Sequence, residues 1–158
     1  MASDYFLKLE GIKGESQNNG SPGAIEISSF SWGVSQSSVS SGAGSSAGKA
    51  SVQPMRFVAP STAASAALFK ACVLGQHLQT ATFYVRAAGS DGTSTIRAQY
   101  TLYDCLVSEY FVGGPADDAG TGDIDTFSLS FRKVQLNVTG PTGATGSAGW
   151  DLASNKGS

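Results

Sequence analysis

Three stretches of the sequence alternate apolar and polar residues, and in each stretch the apolar residues change sides partway along. Within residues 24–34 the change falls near Ser28, and within residues 94–111 it falls at Asp104. Residues 123–138 show a third change of the same kind. Alternation predicts half-buried strands, and a change of sides needs a bulge or a strand that crosses between two sheets. We therefore predict a mainly β fold, a β-barrel of two curved antiparallel sheets.

One α-helix is predicted to flank this barrel, over about residues 61–75. Ser61 follows a proline and is a suitable N-cap residue, while Gly75 stands where a left-handed C-cap is needed. The apolar stripe of the helix is wide enough to pack on the barrel and on a neighbour too. The residues that we expect to pack against the sheets are Leu68, Phe69 and Cys72.

Two segments of the chain have a composition unlike the rest. Residues 35–48 contain seven Ser, three Gly and no charged residue, and they join two predicted strands. Long connections inside a compact fold are uncommon and are usually disordered or used for contact, so we expect a flexible arm here. Residues 139–158 are rich in glycine and are expected to form a flexible tail, in which Trp150 could dock on a surface. We therefore predict one domain over residues 1–138.

The charge and hydropathy of the chain exclude several classes of partner. Lys and Arg total 10 against 12 Asp and Glu, and the basic residues are scattered, so we expect no binding to nucleic acid. No window has the roughly 18 apolar residues of a membrane span, and the amino terminus lacks the pattern of a signal peptide. Cys72 and Cys105 lie far apart in apolar surroundings, which is typical of unpaired cysteines in a reducing compartment.

No motif of a catalytic, cofactor or metal site stands out. The single histidine, His77, has no acid, serine or cysteine in a recognisable motif around it. One histidine and two distant cysteines cannot form a structural zinc site of the usual kind. Residues 42–48 do not match a phosphate-binding loop, and residues 117–126 lack the order of a calcium loop. We therefore expect a chain that is not an enzyme and that needs no cofactor or metal.

Five blocks of the sequence, in this order and at these spacings, resemble one known family. The blocks are DYFLKLEGIKGES, EISSFSWGVSQ, LFKACVLGQHL, LYDCLVSEYFVGG and DTFSLSFRKVQL. They are similar to the haemolysin-coregulated protein (Hcp) family, which supplies the tube subunit of bacterial type VI secretion systems. The resemblance spans nearly the whole chain, including GWDLASNK near its end.

The resemblance implies a structural role in a secretion machine. In this family six copies form a ring, and the rings stack into a tube that lies behind a spike, is propelled by a contractile sheath and carries effector proteins in its lumen. The resemblance also implies a protein that is assembled in the bacterial cytoplasm and then secreted without a cleaved signal peptide. The connection after the tryptophan-bearing strand contacts the adjacent subunit, which implies an intersubunit arm that includes Ser35, Val39, Gly42, Gly48 and Lys49.

Two serines are candidates for the wall of such a channel. Ser29 and Ser31 alternate with Phe30 and Trp32, whose aromatic side must be buried. If the sheets line a channel, the two hydroxyls face its lumen and give a polar, nearly uncharged wall. The alternative function is that of a secreted carbohydrate-binding β-sandwich, which would also be glycine-rich and poor in charge but would not need the alanine-rich helix.

Overall fold

The structure is a computed structural model that describes residues 3–17, 21–41, 44–88, 94–116, 122–154 and 156–157. Within these residues the chain forms strands and a helix, in the following order: β1 (Ser3–Leu9), β2 (Ile25–Ile27), β3 (Ser29–Ser31), β4 (Val34–Ser41), β5 (Gly44–Val52), β6 (Met55–Pro60), α1 (Ala64–Leu74), β7 (His77–Ala88), β8 (Ser94–Gly113), β9 (Ile124–Ser130), β10 (Lys133–Thr139), β11 (Thr145–Asp151) and β12 (Lys156–Gly157).

The described strands other than β4 and β5 form one antiparallel sheet that is divided into two layers by β8. The larger layer has the order β12-β11-β10-β8-β7-β1-β2, and the smaller layer has the order β3-β6-β9-β8. The 20-residue strand β8 belongs to both layers, because its first half pairs with β7 and β10 and its second half pairs with β9. The mainly β fold with one helix is thus confirmed.

Two of the changes of side that the sequence shows fall where the chain changes its pairing partners. Asp104 has a positive φ of 54° at the point where β8 passes from one layer to the other. Ser28 separates β2, which pairs with β1, from β3, which pairs with β6. Because β2 and β3 pair with different strands, the described residues form no continuous ladder around a closed barrel.

An aromatic cluster fills the space between the two layers. The ring of Phe83 on β7 lies 4.7 Å from Phe30 on β3 and 5.1 Å from Phe57 on β6, measured between centroids. Phe57 is in turn 5.4 Å from Phe127 on β9. Phe57, Phe83 and Phe127 are completely buried, so this cluster supplies much of the apolar burial that stabilises the fold.

Helix α1 begins three residues later than the sequence suggests. Ala63 is its N-cap residue and no side chain caps it, so the prediction that Ser61 is the N-cap is wrong. The Ser61 hydroxyl donates a hydrogen bond to Asp125 on β9 instead. The predicted end is confirmed, because Gly75 has a φ of 60° and its backbone N–H donates to a carbonyl of the last turn.

The helix packs through a narrower stripe than predicted. Leu68 lies in the hydrophobic core and is 1% exposed, while Cys72 is partly buried and packs against the same core. Phe69, however, is 57% exposed, so the expectation that it packs against the sheets is wrong. Successive residues of a helix are about 100° apart, and the face that holds Leu68 therefore turns Phe69 outward.

Residues 35–48 are not a structureless arm, because they lie almost entirely in a β-hairpin. Strands β4 and β5 pair antiparallel from Val34 opposite Val52 to Ser41 opposite Gly44, with one irregularity near Gln36. Gly42, which belongs to the predicted arm, lies outside the described residues. Composition favoured a loop here, but pairing between the two strands satisfies backbone hydrogen bonds of both.

The glycine-rich end of the chain also continues the sheet. Strand β11 pairs with the whole of β10, from Thr139 opposite Thr145 to Lys133 opposite Asp151, so the prediction of a flexible tail is wrong for the described residues. Trp150 stands opposite Val134 and packs against the core cluster. A cross-strand pair between an aromatic and a β-branched residue stabilises this pairing despite the neighbouring glycines.

A buried carboxylate fastens α1 to the smaller layer. Asp125 on β9 is 2% exposed and accepts hydrogen bonds from the hydroxyls of Ser61 at 2.7 Å, Tyr110 at 2.9 Å and Ser65. Ser65 lies in the first turn of the helix, and Tyr110 lies on β8. Burial, followed by the neighbouring Asp125, raises the pKa of the Tyr110 phenol, which remains a proton donor at neutral pH.

We expect Leu68→Ala to lower the free energy of unfolding by about 2–5 kcal/mol, because it removes transfer energy and leaves a cavity in the core. Urea unfolding followed by circular dichroism measures the change. Phe69→Ala is the matched control on the exposed side of the same turn and should change stability far less. Equal stability of Leu68→Ala and the wild type would show that the helix does not pack through Leu68.

We expect Asp125→Ala to lower the free energy of unfolding by about 3 kcal/mol, because three hydroxyls lose a charged acceptor and hydrogen bonds to charged groups are worth about 1.5–3 kcal/mol. Thermal and urea unfolding provide the measurement. Asp123→Ala, two residues away at an exposed position, should leave stability almost unchanged. A loss of the same size in both variants would contradict a special role for the buried carboxylate.

Candidate functional site

The smaller layer has one face on the core and one face open to solvent. We call the open side the outer face; cross-strand pairing arranges it in two rows. One row contains Ser31, Arg56, Ser128 and Glu109, and the other contains Ser29, Val58, Thr126 and Phe111. Residues paired directly across antiparallel strands project to the same face of a sheet. The structure therefore brings both predicted serines onto one surface with residues of three other strands.

The positions of Phe30 and Trp32 explain why the two serines are exposed. Phe30 packs edge-on against Tyr5, with ring centroids 5.2 Å apart, and Trp32 lies 6.1 Å from Phe131. Both aromatic residues pack against the core cluster, and alternation along β3 turns Ser29 and Ser31 outward. That these hydroxyls face a channel remains a prediction.

The outer face also carries an ion pair that the sequence did not reveal. The Arg56 guanidinium donates to a carboxylate oxygen of Glu109 at 3.0 Å, and the Ser128 hydroxyl donates to the same oxygen at 3.2 Å. Because both charged groups are about half exposed, the pair contributes no more than about 1 kcal/mol to stability. Its main effect is to leave the face without net charge.

Sequence reasoning missed Arg56, Glu109 and Phe111 as members of this surface. Phe111 is 60% exposed, so the face is polar with one large aromatic side chain on it. A shallow depression of about 540 Å³ lies at the other end of the face, between Trp32 and the Arg56–Glu109 pair. The sequence shows the alternation within β6, β8 and β9, which indicates the residues that share a face of each strand. It does not show the register between the strands, which decides the residues that share a row.

The β4–β5 hairpin begins directly beside the outer face. The Trp32 indole N–H donates to the backbone carbonyl of Gln53 at 2.8 Å, and the Gln53 N–H donates to the carbonyl of Gly33. These two bonds close the base of the hairpin. The predicted arm residues Ser35, Val39, Gly48 and Lys49 all lie on its two strands.

An apolar groove of about 250 Å³ lies between the base of this hairpin and strands β10 and β11. Trp32 and Trp150 stand in its wall, and none of its lining residues is ionisable. The lining, which defines what we call the apolar groove, is Trp32, Val34, Ala50, Val52, Val134, Leu136, Ala148, Gly149 and Trp150.

A second apolar surface lies on the last two turns of α1. Phe69, Val73 and Leu74 are 57%, 67% and 64% exposed, and we call these three residues the helix patch. The centroid of the Phe69 ring lies 6.3 Å from that of Tyr110 on β8. Exposed apolar residues are ordinary when single, but a group of three on one short helix is typical of an interaction surface.

His77 and Cys105, which lie outside these surfaces, have structural surroundings and not those of a reactive site. His77 Nδ1 lies 2.8 Å from a carboxylate oxygen of Asp104, and this contact holds the bend of β8 against the start of β7. Burial, opposed by a backbone hydrogen bond at Ala81 and assisted by the Asp104 charge, raises the pKa of the Cys105 thiol to about 12. This thiol is therefore protonated at neutral pH and is a poor nucleophile.

Comparison with known proteins shows the family to which the chain is similar. The family model described as type VI secretion system effector, Hcp, matches residues 6–138. The crystal structure of Hcp1 from Salmonella typhimurium is 33% identical, with a TM-score of 0.84 and all of both chains covered. Hcp2 from the same organism is 27% identical, with a TM-score of 0.74 over 97% of this chain and 98% of that one.

A structure described as a type six secretion system protein is 25% identical and gives a TM-score of 0.88 over 99% of this chain and all of that one. No curated protein sequence matches the chain significantly. In the described part of the chain, α1 is too short to cross a membrane, and no other helix there reaches the length and apolar character of a span. The structural likeness extends through the hairpin, the helix and the final strands.

Proposed function

Because the chain belongs to the Hcp family and is a structural subunit of the type VI secretion tube, we propose that six copies close into a ring and that rings stack into a hollow tube. The outer face of the smaller layer lines the lumen in this proposal. The observation that carries it is the two-row arrangement of this face, which is exposed on β3, β6 and β8 and has no net charge.

The chemistry of the outer face suits transport better than tight binding. Small hydroxyls offer hydrogen bonds without strong charge, and Arg56 and Glu109 neutralise each other. Such a wall can hold effector proteins of different sequence and release each of them. We propose that the chain carries effectors in this way and acts with the spike and sheath proteins of the apparatus, as a structural component rather than an enzyme.

The route of export follows from the same proposal. The tube is assembled in the bacterial cytoplasm, and the protein leaves the cell through the secretion apparatus instead of a pathway that cleaves a signal peptide. A carbohydrate-binding β-sandwich is not favoured, because the similarity to Hcp structures includes the helix and covers the whole chain.

We expect Ser31→Gln to reduce the amount of effector protein recovered with purified rings while the rings themselves persist. The longer side chain projects from the outer face into the lumen and changes the contact with cargo. Native mass spectrometry measures the ring, and quantitative proteomics of the purified material measures the cargo. Ser147→Gln, an identical change at an exposed position of β11, is the control. Loss of the ring in Ser31→Gln would place Ser31 at a subunit contact instead.

We expect a variant that joins Val34 to Lys49 through a short Gly-Ser turn to keep its fold and lose its rings or their stacking. Loop-closure entropy varies slowly with length, so the shortened connection costs the subunit little. An arm used for contact, in contrast, is needed for assembly. Circular dichroism tests the fold, and native mass spectrometry together with measured export tests assembly. Rings that stack and leave the cell at wild-type levels would reduce the hairpin to a passive connection.

A further inference from the structure

The apolar groove and the helix patch are complementary surfaces, and we propose that the helix patch of one copy docks in the apolar groove of the next copy around the ring. This inference rests on the proposed ring and names the contact that closes it. The helix patch lies on α1, away from the outer face, and the groove shares only Trp32 with the depression on that face.

The groove is built to receive an apolar group. The one polar atom of the Trp32 side chain already donates to Gln53, so the indole needs no partner from outside. Val34 at the rim is 62% exposed, which is unfavourable for an isolated valine in water. A volume of about 250 Å³ accepts one or two large side chains without any rearrangement of charged residues.

The helix patch presents side chains of the matching kind. Phe69 and Val73 are four residues apart and therefore lie above one another on the same side of α1. Leu74 follows them around the helix, next to Lys70. The long aliphatic part of Lys70 can lie along an apolar contact while its ammonium group stays in water.

The two surfaces lie at different levels along β9, the helix patch near its middle and the groove near its end. The Phe69 ring lies 6.3 Å from Tyr110, which pairs with Phe127 of β9, whereas Trp32 at the groove lies 6.1 Å from Phe131, just beyond the end of that strand. Phe127 and Phe131 are four residues apart, which is about 13 Å along an extended chain. One copy cannot bring its own patch to its own groove.

A second copy of the same chain is therefore the occupant that this arrangement fits. When two different surfaces of a subunit pair between copies, the contact is head-to-tail, and repeating it gives a closed ring if the rotation between neighbours closes on itself. The charge of the two surfaces agrees with this pairing, since no lining residue of the groove is ionisable and the three patch residues are apolar. Docking therefore buries no unpaired charge.

Single charged substitutions test the contact from both sides. We expect Val73→Asp on the patch and Ala148→Asp in the groove each to keep the circular dichroism spectrum of the wild type and to lower the ring population about tenfold or more, because a carboxylate enters an apolar contact. Val34→Asp is a second groove variant at a position that is already exposed. Ile96→Asp, at a 39% exposed position outside both surfaces, is the control and should leave rings intact.

Mixing the two variants gives the decisive measurement. In an equimolar mixture of Val73→Asp and Ala148→Asp, the intact patch of one variant can still meet the intact groove of the other, so heterodimers should appear in native mass spectra although neither variant assembles alone. A mixture that stays monomeric would overturn the pairing of these surfaces.

The remaining outcomes separate this inference from the proposed function. A monomeric wild-type chain would overturn the ring and this contact with it. Rings that persist at wild-type levels in both charged variants would overturn the contact and leave the ring standing. If such rings then failed to be exported, the two surfaces would contact another component of the apparatus instead of a second copy, and the proposed docking between copies would again be wrong.

Discussion

The division of β8 between two layers determines where every other surface of the protein lies. Its first half is held by β7 and β10 and its second half by β9, so one backbone passes from the larger layer to the smaller one. Asp104 makes this possible with a positive φ, a conformation that Asp tolerates better than most residues, and His77 binds its carboxylate. Because the strand bends there, the aromatic cluster closes between the layers and the outer face is left open.

Alternation of apolar and polar residues predicted the strands and the points where their buried face changes, because every second residue of a strand points to the same face. Asp104 could be identified in this way, and Gly75 could be identified because a left-handed C-cap requires a residue such as glycine. Ser61 was misread as an N-cap because its hydroxyl binds Asp125, which lies 64 residues further along the sequence. No local pattern shows that competing acceptor, and the same holds for the ion pair of Arg56 and Glu109.

Composition misled us where pairing between strands decides the structure. Serine and glycine are poor strand formers, yet β4 and β5 pair from Val34 and Val52 onward, and β11 is held by Trp150 opposite Val134. In each case an apolar pair lies at or near one end of a ladder that otherwise consists largely of small residues. The two candidate serines of the outer face were accessible to sequence reasoning, because Phe30 and Trp32 define the buried side of the same strand.

The hairpin has a physical reason to depend on a neighbour. Its strands of 8 and 9 residues form a separate two-stranded sheet, and an isolated hairpin of that kind is only marginally stable in water. Holding each residue in place costs about 1 kcal/mol or more, which pairing alone offsets poorly. In the proposed ring a second copy supplies further contacts to the hairpin. The free energy needed to order the hairpin residues then reduces the net free energy of association between the two copies. Single contacts between subunits are then weak and reversible, and the tube becomes stable only when many of them act together.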